Sequence, residues 1–176
     1  MLRFGKIVLA LALAALLCLS FAGCAARGTT TVGTLPIDGS EDSTAVDVSP
    51  AKYDRDIMGL VAYLEDSGLV TGDRVQMSYD VIGAKNGYKY NYRYNDSNVQ
   101  LEVYEFDTAN LPAEGQTVQA SLKASGEFDV LGNTVKGTLS ADGHFLLVYT
   151  DTKTDDVSTA HRERVLERFN AFGNAS

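Results

Sequence analysis

Four tyrosines at alternate positions are the most distinctive side chains of this sequence, namely Tyr88, Tyr90, Tyr92 and Tyr94. Alternate residues of a β-strand point to one face, so these four rings share a face. The face is either an aromatic platform that stacks a sugar or another flat ligand, or a core face with hydroxyl groups at its rim. The core interpretation is favoured because branched aliphatic residues of the next predicted strand lie opposite. If the face is exposed, the four tyrosines are the candidate ligand-binding residues.

Two further sets of side chains could support chemistry. His161 lies on the apolar stripe of a predicted helix, where a partly buried structural role is favoured because no Cys or second His stands at metal-ligand spacing. Glu102, Glu105 and Asp107 form a carboxylate cluster that could supply a glycosidase pair. The favoured interpretation is an exposed sheet face on which Glu102 lies opposite basic residues. His144 is expected to be exposed at the start of a strand.

Motifs of known catalytic centres are absent from the sequence. It contains no Gly-x-Ser-x-Gly elbow, no His-Glu-x-x-His pair, no glycine-rich phosphate loop and no dinucleotide fingerprint. The sequence therefore assigns no catalytic residue, no metal site and no cofactor, and it leaves open whether the protein is an enzyme.

The charge balance argues against one class of partner. The 176 residues contain 15 Lys+Arg and 23 Asp+Glu, which gives a formal net charge of −8. A nucleic-acid-binding protein needs a basic face for the phosphates. We therefore expect no nucleic acid among the partners.

The N-terminal segment has the layout of an export signal. Arg3 and Lys6 precede an uncharged apolar run over residues 7–19, and the small residues Ala22 and Gly23 follow. A transmembrane helix is the alternative, but the run is shorter than the roughly 20 apolar residues that a span requires.

The end of this segment, Phe21-Ala22-Gly23-Cys24, resembles the lipobox of bacterial lipoproteins. It departs from the family pattern at Phe21, where leucine is preferred. The resemblance implies that residues 1–23 are a signal peptide and that the Cys24 thiol carries a diacylglyceryl group. Cys18 follows two leucines and fits the cleavage position poorly. The implied location is the extracytoplasmic face of a bacterial cell membrane, with the membrane bound through the lipid anchor.

The rest of the chain divides into a tether and one domain. Residues 24–50 are predicted to be the lipidated Cys and a flexible tether, because polar and small residues dominate and the apolar residues have no period. As a flexible coil, such a segment spans roughly 25–30 Å. Residues 51–176 are predicted to form a single α+β domain.

Hydrophobic periodicity predicts a helix followed by three strands. The helix begins at an N-cap at Ser49 and ends at Gly68. Alternation then predicts an antiparallel meander, with Asn86-Gly87 as one turn and a four-residue loop over 95–98 as the other. Its strands cover residues 75–82, 88–94 and 99–106. In this register Tyr92 lies opposite Leu101, and the face without tyrosines is polar.

The second half of the domain is predicted to repeat this order. Val118 and Leu122 indicate a short helix in the link, and a second meander follows over residues 128–150, with 145–149 as a covered central strand. A C-terminal helix over 155–172 closes the domain, with Thr152 and Asp155 at capping-box distance. The fold class is therefore α+β, an antiparallel sheet of about six strands in two meanders with an N-terminal and a C-terminal helix packed on it.

Two function classes remain open after these steps. The first is a membrane-anchored lipoprotein that displays a small binding or assembly domain for an envelope protein, a peptide or a glycan. The alternative is a cell-envelope hydrolase or transferase with an unrecognised active site. A cavity that holds His161 or Glu105 with a strongly shifted pKa would favour the enzyme. An exposed apolar patch without a pocket would favour the binding domain.

Overall fold

The computed structural model describes residues 48–175. Its helices are α1 (Ile57–Asp66), α2 (Ala113–Ser125) and α3 (Asp156–Gly173), with short 3-10 turns at Pro50–Lys52 and Tyr79–Ile82. Its strands are β1 (Arg74–Gln76), β2 (Asn86–Tyr94), β3 (Ser97–Glu105), β4 (Glu127–Val130), β5 (Asn133–Lys136), β6 (Thr138–Leu139) and β7 (Phe145–Asp151).

The main sheet has five strands in the order β1-β2-β3-β7-β6, and every neighbouring pair is antiparallel. The strands β4 and β5 form a separate two-stranded hairpin. The predicted α+β class, with an antiparallel sheet and a helix towards each end of the domain, is confirmed. The second meander divides between the two sheets, and β7 is an inner strand with four consecutive buried residues, as its apolar run predicted.

The tyrosine-bearing face of the sheet packs on α1 and α3. This first core cluster contains buried residues from both helices and from alternate positions of β2, β3 and β7. Tyr90 is fully buried and Tyr92 nearly so, while Tyr88 and Tyr94 pack partly buried at the cluster edge. Val48 also packs on this cluster, so contacts with the core begin before the predicted boundary at residue 51.

The opposite face of the sheet is covered as well, which the sequence indicated only for β7. Tyr104, Leu146 and Val148 of this face form a second core cluster with residues of α2, β4 and the 3-10 turn at Tyr79–Ile82. The predicted face without tyrosines is polar along most of β2 and β3, but Tyr104 is buried there. The reason is that α2 and the β4–β5 hairpin form a third layer. This layer buries the apolar residues on the second face of β7.

The register between β2 and β3 differs from the predicted one by two residues. Asn95 and Asp96 alone form the turn, and both have positive φ, at 46° and 56°, as a type I′ turn requires. Tyr92 consequently pairs with Val99 rather than Leu101, and Lys89 pairs with Glu102. A two-residue shift preserves the faces, so the tyrosines stay on the core side.

The first strand is much shorter than predicted. Only Arg74–Gln76 pair with β2, and a 3-10 turn follows, so residues 77–82 of the predicted strand are not a strand. Asn86 and Gly87 lie within β2 and pair with β3 rather than forming a hairpin turn. The left-handed residue is Gly83, with φ of 68°, and it ends the 3-10 turn.

Both long predicted helices begin at an aspartate. The side chain of Asp56 accepts from the Gly59 amide and caps α1, whereas Ser49 makes no side-chain capping bond and precedes only a 3-10 turn. The predicted helix start at Ser49 is therefore wrong by seven residues. Asp155 accepts from the Ser158 amide and caps α3, so it takes the N-cap role itself.

Candidate functional site

The tyrosine face is a core face. The burial of Tyr90 and Tyr92 confirms the favoured interpretation, and these two rings offer no open surface on which a ligand could stack. Their hydroxyl groups are bonded within the protein: Tyr90 donates to Glu65 Oε1 over 2.8 Å, and the Tyr92 hydroxyl lies 3.0 Å from His161 Nε2. Arg164 Nη2 donates to the Tyr94 hydroxyl over 2.9 Å.

His161 is buried against aromatic residues of the first core cluster, as the structural interpretation predicted. Its ring stacks on Tyr94 at a centroid distance of 3.8 Å, and the residue is buried. Burial, with a further contribution from the Arg164 charge, lowers the pKa of His161 from 6.5 to about 4. His161 is therefore a neutral ring in a closed environment at neutral pH, and it lines none of the three cavities described for residues 48–175.

Glu105 is the buried carboxylate of the domain. Its Oε1 lies 3.1 Å from Lys85 Nζ and 3.2 Å from His144 Nε2, and its Oε2 accepts from the Ile57 amide at the start of α1 over 3.4 Å. The hydrogen bond and charge of Glu105 raise the pKa of Lys85. His144 is thus half-buried and bonded rather than exposed.

A sequence signal for this burial exists. Glu105 continues the series Val99, Leu101 and Val103, all of which face the core, so its position in the alternation places it inside. A carboxylate at such a position needs partners, because an isolated buried charge is strongly unfavourable. Lys85 and His144 are those partners, from the turn before β2 and the start of β7.

The other two carboxylates of the predicted cluster have separate surroundings. Glu102 accepts from the Tyr104 hydroxyl and the Gln100 amide, each over 2.7 Å. Asp107 accepts from the side chain and backbone of Asn110, and these bonds lower its pKa. The three acids therefore stabilise three different contacts, and of them only Glu102 lines a described cavity.

An apolar groove of about 520 Å³ opens between the main sheet and the β4–β5 hairpin. Its first wall is the edge strand β1 and the following 3-10 turn, with Val75, Met77 and Val81. Its second wall is the hairpin, whose contribution includes Val130 and Leu131. We call this space the apolar groove. The elements that build it are the shortened first strand and the independent hairpin, which are the two features that the sequence did not predict.

Exposed apolar side chains concentrate at this groove. The domain has five exposed large hydrophobic residues among those described, and Val75, Val81 and Leu131 are three of them, at 55%, 43% and 86% exposure. All three line the apolar groove. Apolar surface gathered in one concave place is typical of an interaction site, whereas scattered single residues are not.

Leu131 has an unusual backbone as well as an exposed side chain. It is the first central residue of the β4–β5 turn, with φ of 49°, and Gly132 follows with φ of 83°. Type I′ turns favour Asn, Asp or Gly at this place, because a β-carbon in the left-handed region is crowded by the following carbonyl. Neither folding nor solubility explains a leucine here, so its side chain is the feature of interest.

The floor of the groove is polar. Lys89 and Glu102 occupy opposite positions of β2 and β3, and Glu102 accepts from the Tyr104 hydroxyl. Burial, reinforced by this hydrogen bond, raises the pKa of Tyr104. The groove therefore combines apolar walls with one basic and one acidic side chain on its floor, an arrangement in which the walls supply affinity and the floor fixes orientation.

No family model, curated protein or solved structure matches this chain. None of the helices within residues 48–175 is long and apolar enough to cross a membrane. Cys24, the predicted signal peptide and most of the predicted tether lie outside the described residues, so the lipoprotein interpretation stays a prediction.

Proposed function

We propose that this protein is a membrane-anchored lipoprotein whose domain binds an apolar segment of an envelope protein or peptide in the apolar groove. The single observation that carries the binding role is the gathering of Val75, Val81 and Leu131 around one concavity. The anchoring role depends on the resemblance of residues 21–24 to a lipobox. An anchor and a binding domain together hold a partner near the membrane surface.

The proposed partner chemistry follows from the walls of the groove. The edge strand β1 has one unpartnered side, and the apolar side chains stand beside it. An extended segment can add to such an edge through its backbone while alternate apolar side chains enter the groove. The groove volume suits a few side chains rather than a whole folded surface.

The alternative of an envelope hydrolase or transferase gains less support. His161 has the strongly shifted pKa that an active site would use, but it is enclosed by Tyr92 and Tyr94. Glu105 is enclosed between Lys85, His144 and the start of α1. A general base must reach the proton of its substrate, and neither residue lines a described cavity.

A site-specific photo-crosslinker tests the proposal in the bacterium that produces the protein. A benzophenone amino acid replaces Val81 in the wall of the groove, and the same amino acid replaces Val157 in a control. Val157 is a matched position because it is similarly exposed, at 50%, but does not line the apolar groove. We expect a discrete cross-linked product from position 81 that is absent from position 157.

A second substitution, Leu131→Asn, separates binding from folding. Asn tolerates the positive φ of this turn, so the free energy of unfolding should rise by about 0.5–1 kcal/mol. Loss of the apolar side chain should nevertheless remove most of the cross-linked product from position 81. If Leu131→Asn leaves that product unchanged, or if positions 81 and 157 give the same products, the groove is not the binding site.

A further inference from the structure

A second cavity, chemically unlike the apolar groove, opens on the other side of β5. It has a volume of about 580 Å³ and lies between β5, the end of β7 and the first turns of α3. A smaller cavity of about 100 Å³ shares Lys136, Tyr149 and Arg162 with it and continues along α3 to Leu166. We call the two together the cationic cleft, and its elongated form suits a chain-like ligand.

Basic side chains dominate the charges of this cleft. Lys136, Lys153 and Arg162 line it, against the single carboxylate of Asp151. The whole sequence carries a net charge of −8, so a local excess of positive charge is contrary to the composition. A concave surface lined by one sign of charge concentrates its potential and attracts ions of the opposite sign.

The carboxylate of Asp151 is already bonded within the protein. Its oxygens accept from the Ser97 hydroxyl, from the Lys153 amide over 2.9 Å and from the Tyr149 hydroxyl over 3.4 Å. It forms no ion pair with a cation among residues 48–175. Asp151 therefore shapes the floor of the cleft but does not neutralise its basic side chains through a direct pair.

The three cations are available to a ligand. Lys136 lies 3.8 Å from Glu127, but both side chains are exposed, and such pairs contribute about 0–1 kcal/mol. The ammonium group of Lys153 donates to the Asn95 carbonyl and keeps two further protons to donate. Arg162 is exposed and has no carboxylate within 4.0 Å in the described part of the chain.

The remaining lining selects among anions. Four threonines and the aromatic ring of Tyr149 complete the large cavity with Val135 and Ser158. Hydroxyl groups both donate to and accept from the hydroxyls of a sugar, and an aromatic ring packs against the apolar side of a sugar ring. An inorganic ion would use the charges and the hydroxyl donors but not the aromatic ring, whereas a sugar bearing acidic groups would use every feature of the lining.

We infer that the cationic cleft binds an anionic sugar chain, one that carries carboxylate or phosphate groups on successive units. Lys136, Lys153 and Arg162 contact the acidic groups, and Tyr149 packs against a sugar ring. This site is independent of the apolar groove, and it gives the domain a second ligand of the glycan class.

Calorimetric titration of the full chain in neutral detergent tests the inference. Trigalacturonate is the acidic probe and maltotriose is its neutral counterpart of equal length. We expect trigalacturonate to bind at least tenfold more tightly than maltotriose, and its affinity to fall as the salt concentration rises. Equal binding of both sugars, or binding of neither, would overturn the inference.

Paired substitutions of equal charge locate the binding. Lys153→Gln with Arg162→Gln should weaken trigalacturonate binding at least tenfold. Lys52→Gln with Lys123→Gln changes the same charge at exposed positions outside the cleft and should leave affinity within twofold. All four side chains are exposed, so folding should be unaffected. Equal losses in both variants would mean that net charge alone governs binding, which contradicts a built site.

Two competing sources of negative charge complete the test. Inorganic phosphate at the same concentration as trigalacturonate should displace little of it, because a single phosphate cannot pack against Tyr149 or reach all three cations at once. Vesicles of phosphatidylglycerol should likewise compete weakly. Strong displacement by phosphate, or preference for the vesicles, would reassign the cleft to simple anions or to lipid headgroups and overturn the inference.

Crosslinking at position 81 should be unaffected by the cleft substitutions, so the failure of one proposal would not entail the failure of the other.

Discussion

Glu105 links three parts of the domain to β3 through one carboxylate. Lys85 approaches from the turn before β2, His144 from the start of β7, and the Ile57 amide from the first turn of α1. An amide at a helix N-terminus favours a negative charge nearby. The geometry is that of a structural joint: Lys85 is mostly exposed and keeps contact with water, while the carboxylate itself is enclosed.

His161 gives the domain a pH-dependent stability. The unfolded chain binds a proton at this residue near pH 6.5, whereas the folded chain does so only near pH 4, because burial disfavours the charged ring. Between these values the unfolded state holds more protons, so this contribution to the free energy of unfolding decreases as the pH falls from 6.5 and levels off near 4. The full effect is up to about 3 kcal/mol.

The measurement is urea unfolding of the wild type and of His161→Gln at pH 7 and at pH 4.5. Gln can still bond the Tyr92 hydroxyl but does not titrate, so its stability should fall less between the two pH values. The carboxylates titrate equally in both proteins and cancel in the comparison. Parallel losses in the two proteins would mean that His161 is already accessible to protons in the folded state.

The strands differ in how far the sequence predicts them. The aromatic alternation of β2 and the continuous apolar run of β7 predicted the positions of these two strands correctly. Both patterns directly reflect which side chains are buried. The 75–82 segment alternates equally well and is mostly not a strand, because its apolar residues Val75 and Val81 stay exposed. Periodicity identifies apolar positions, but it does not distinguish a core from an interaction surface.

Turn length decided the register, and sequence left it open. Asn95-Asp96-Ser97-Asn98 contains four residues that all suit turns, and only the first two are used. The apolar groove was equally hard to predict from the sequence. The apolar groove depends on where the β4–β5 hairpin lies, and that placement comes from long-range packing of Phe128 on α2 and β7 rather than from local sequence. Only Leu131 before Gly132 was a local signal.

The start of α1 gives a test at the scale of one element. Asp56→Ala removes the side-chain acceptor of the Gly59 amide and should lower the free energy of unfolding by about 1 kcal/mol. Ser49→Ala removes a hydroxyl that makes no capping bond and should change it by less than 0.5 kcal/mol. Thermal and urea unfolding of the two variants measure both values. A larger loss for Ser49→Ala would place the helix start where the sequence pattern predicted it.

The apolar groove and the cationic cleft share one structural element, the strand β5. Residues of β5 line both, and Val135 contributes to each, so the hairpin lies between the apolar groove and the cationic cleft.

The two ends of the described chain are joined by Arg55, which donates to the carbonyls of Phe172 and Gly173 at the end of α3 and pairs with Asp142 over 2.7 Å. A cation at a helix C-terminus is favourable. This contact and the large core hold the frame, while the smaller hairpin contributes one wall to each of the two surfaces.

Membrane attachment is the property of the whole molecule on which the proposed function depends. If the signal is removed before Cys24, the loss of Arg3 and Lys6 takes the formal charge from −8 to −10. Such a chain has no net attraction to anionic headgroups, so we expect its attachment to come from acyl chains. Each methylene buried in the bilayer contributes roughly 0.8 kcal/mol to membrane binding. Two acyl chains therefore anchor a protein stably, whereas a protein with one chain dissociates and rebinds.

The lipid attachment is tested by substitution of each cysteine in turn. Metabolic labelling with a fatty-acid analogue should mark the wild type and Cys18→Ser equally, because Cys18 is removed with the signal. Cys24→Ser should carry no label, and it should either leave the membrane fraction or keep residues 1–23. Equal label on Cys24→Ser would refute lipidation at that residue, and label lost from Cys18→Ser instead would move the anchor to Cys18. Because the domain itself is strongly acidic, a membrane-bound and unlabelled Cys24→Ser protein that has lost residues 1–23 would show that a protein partner, rather than lipid, holds it there.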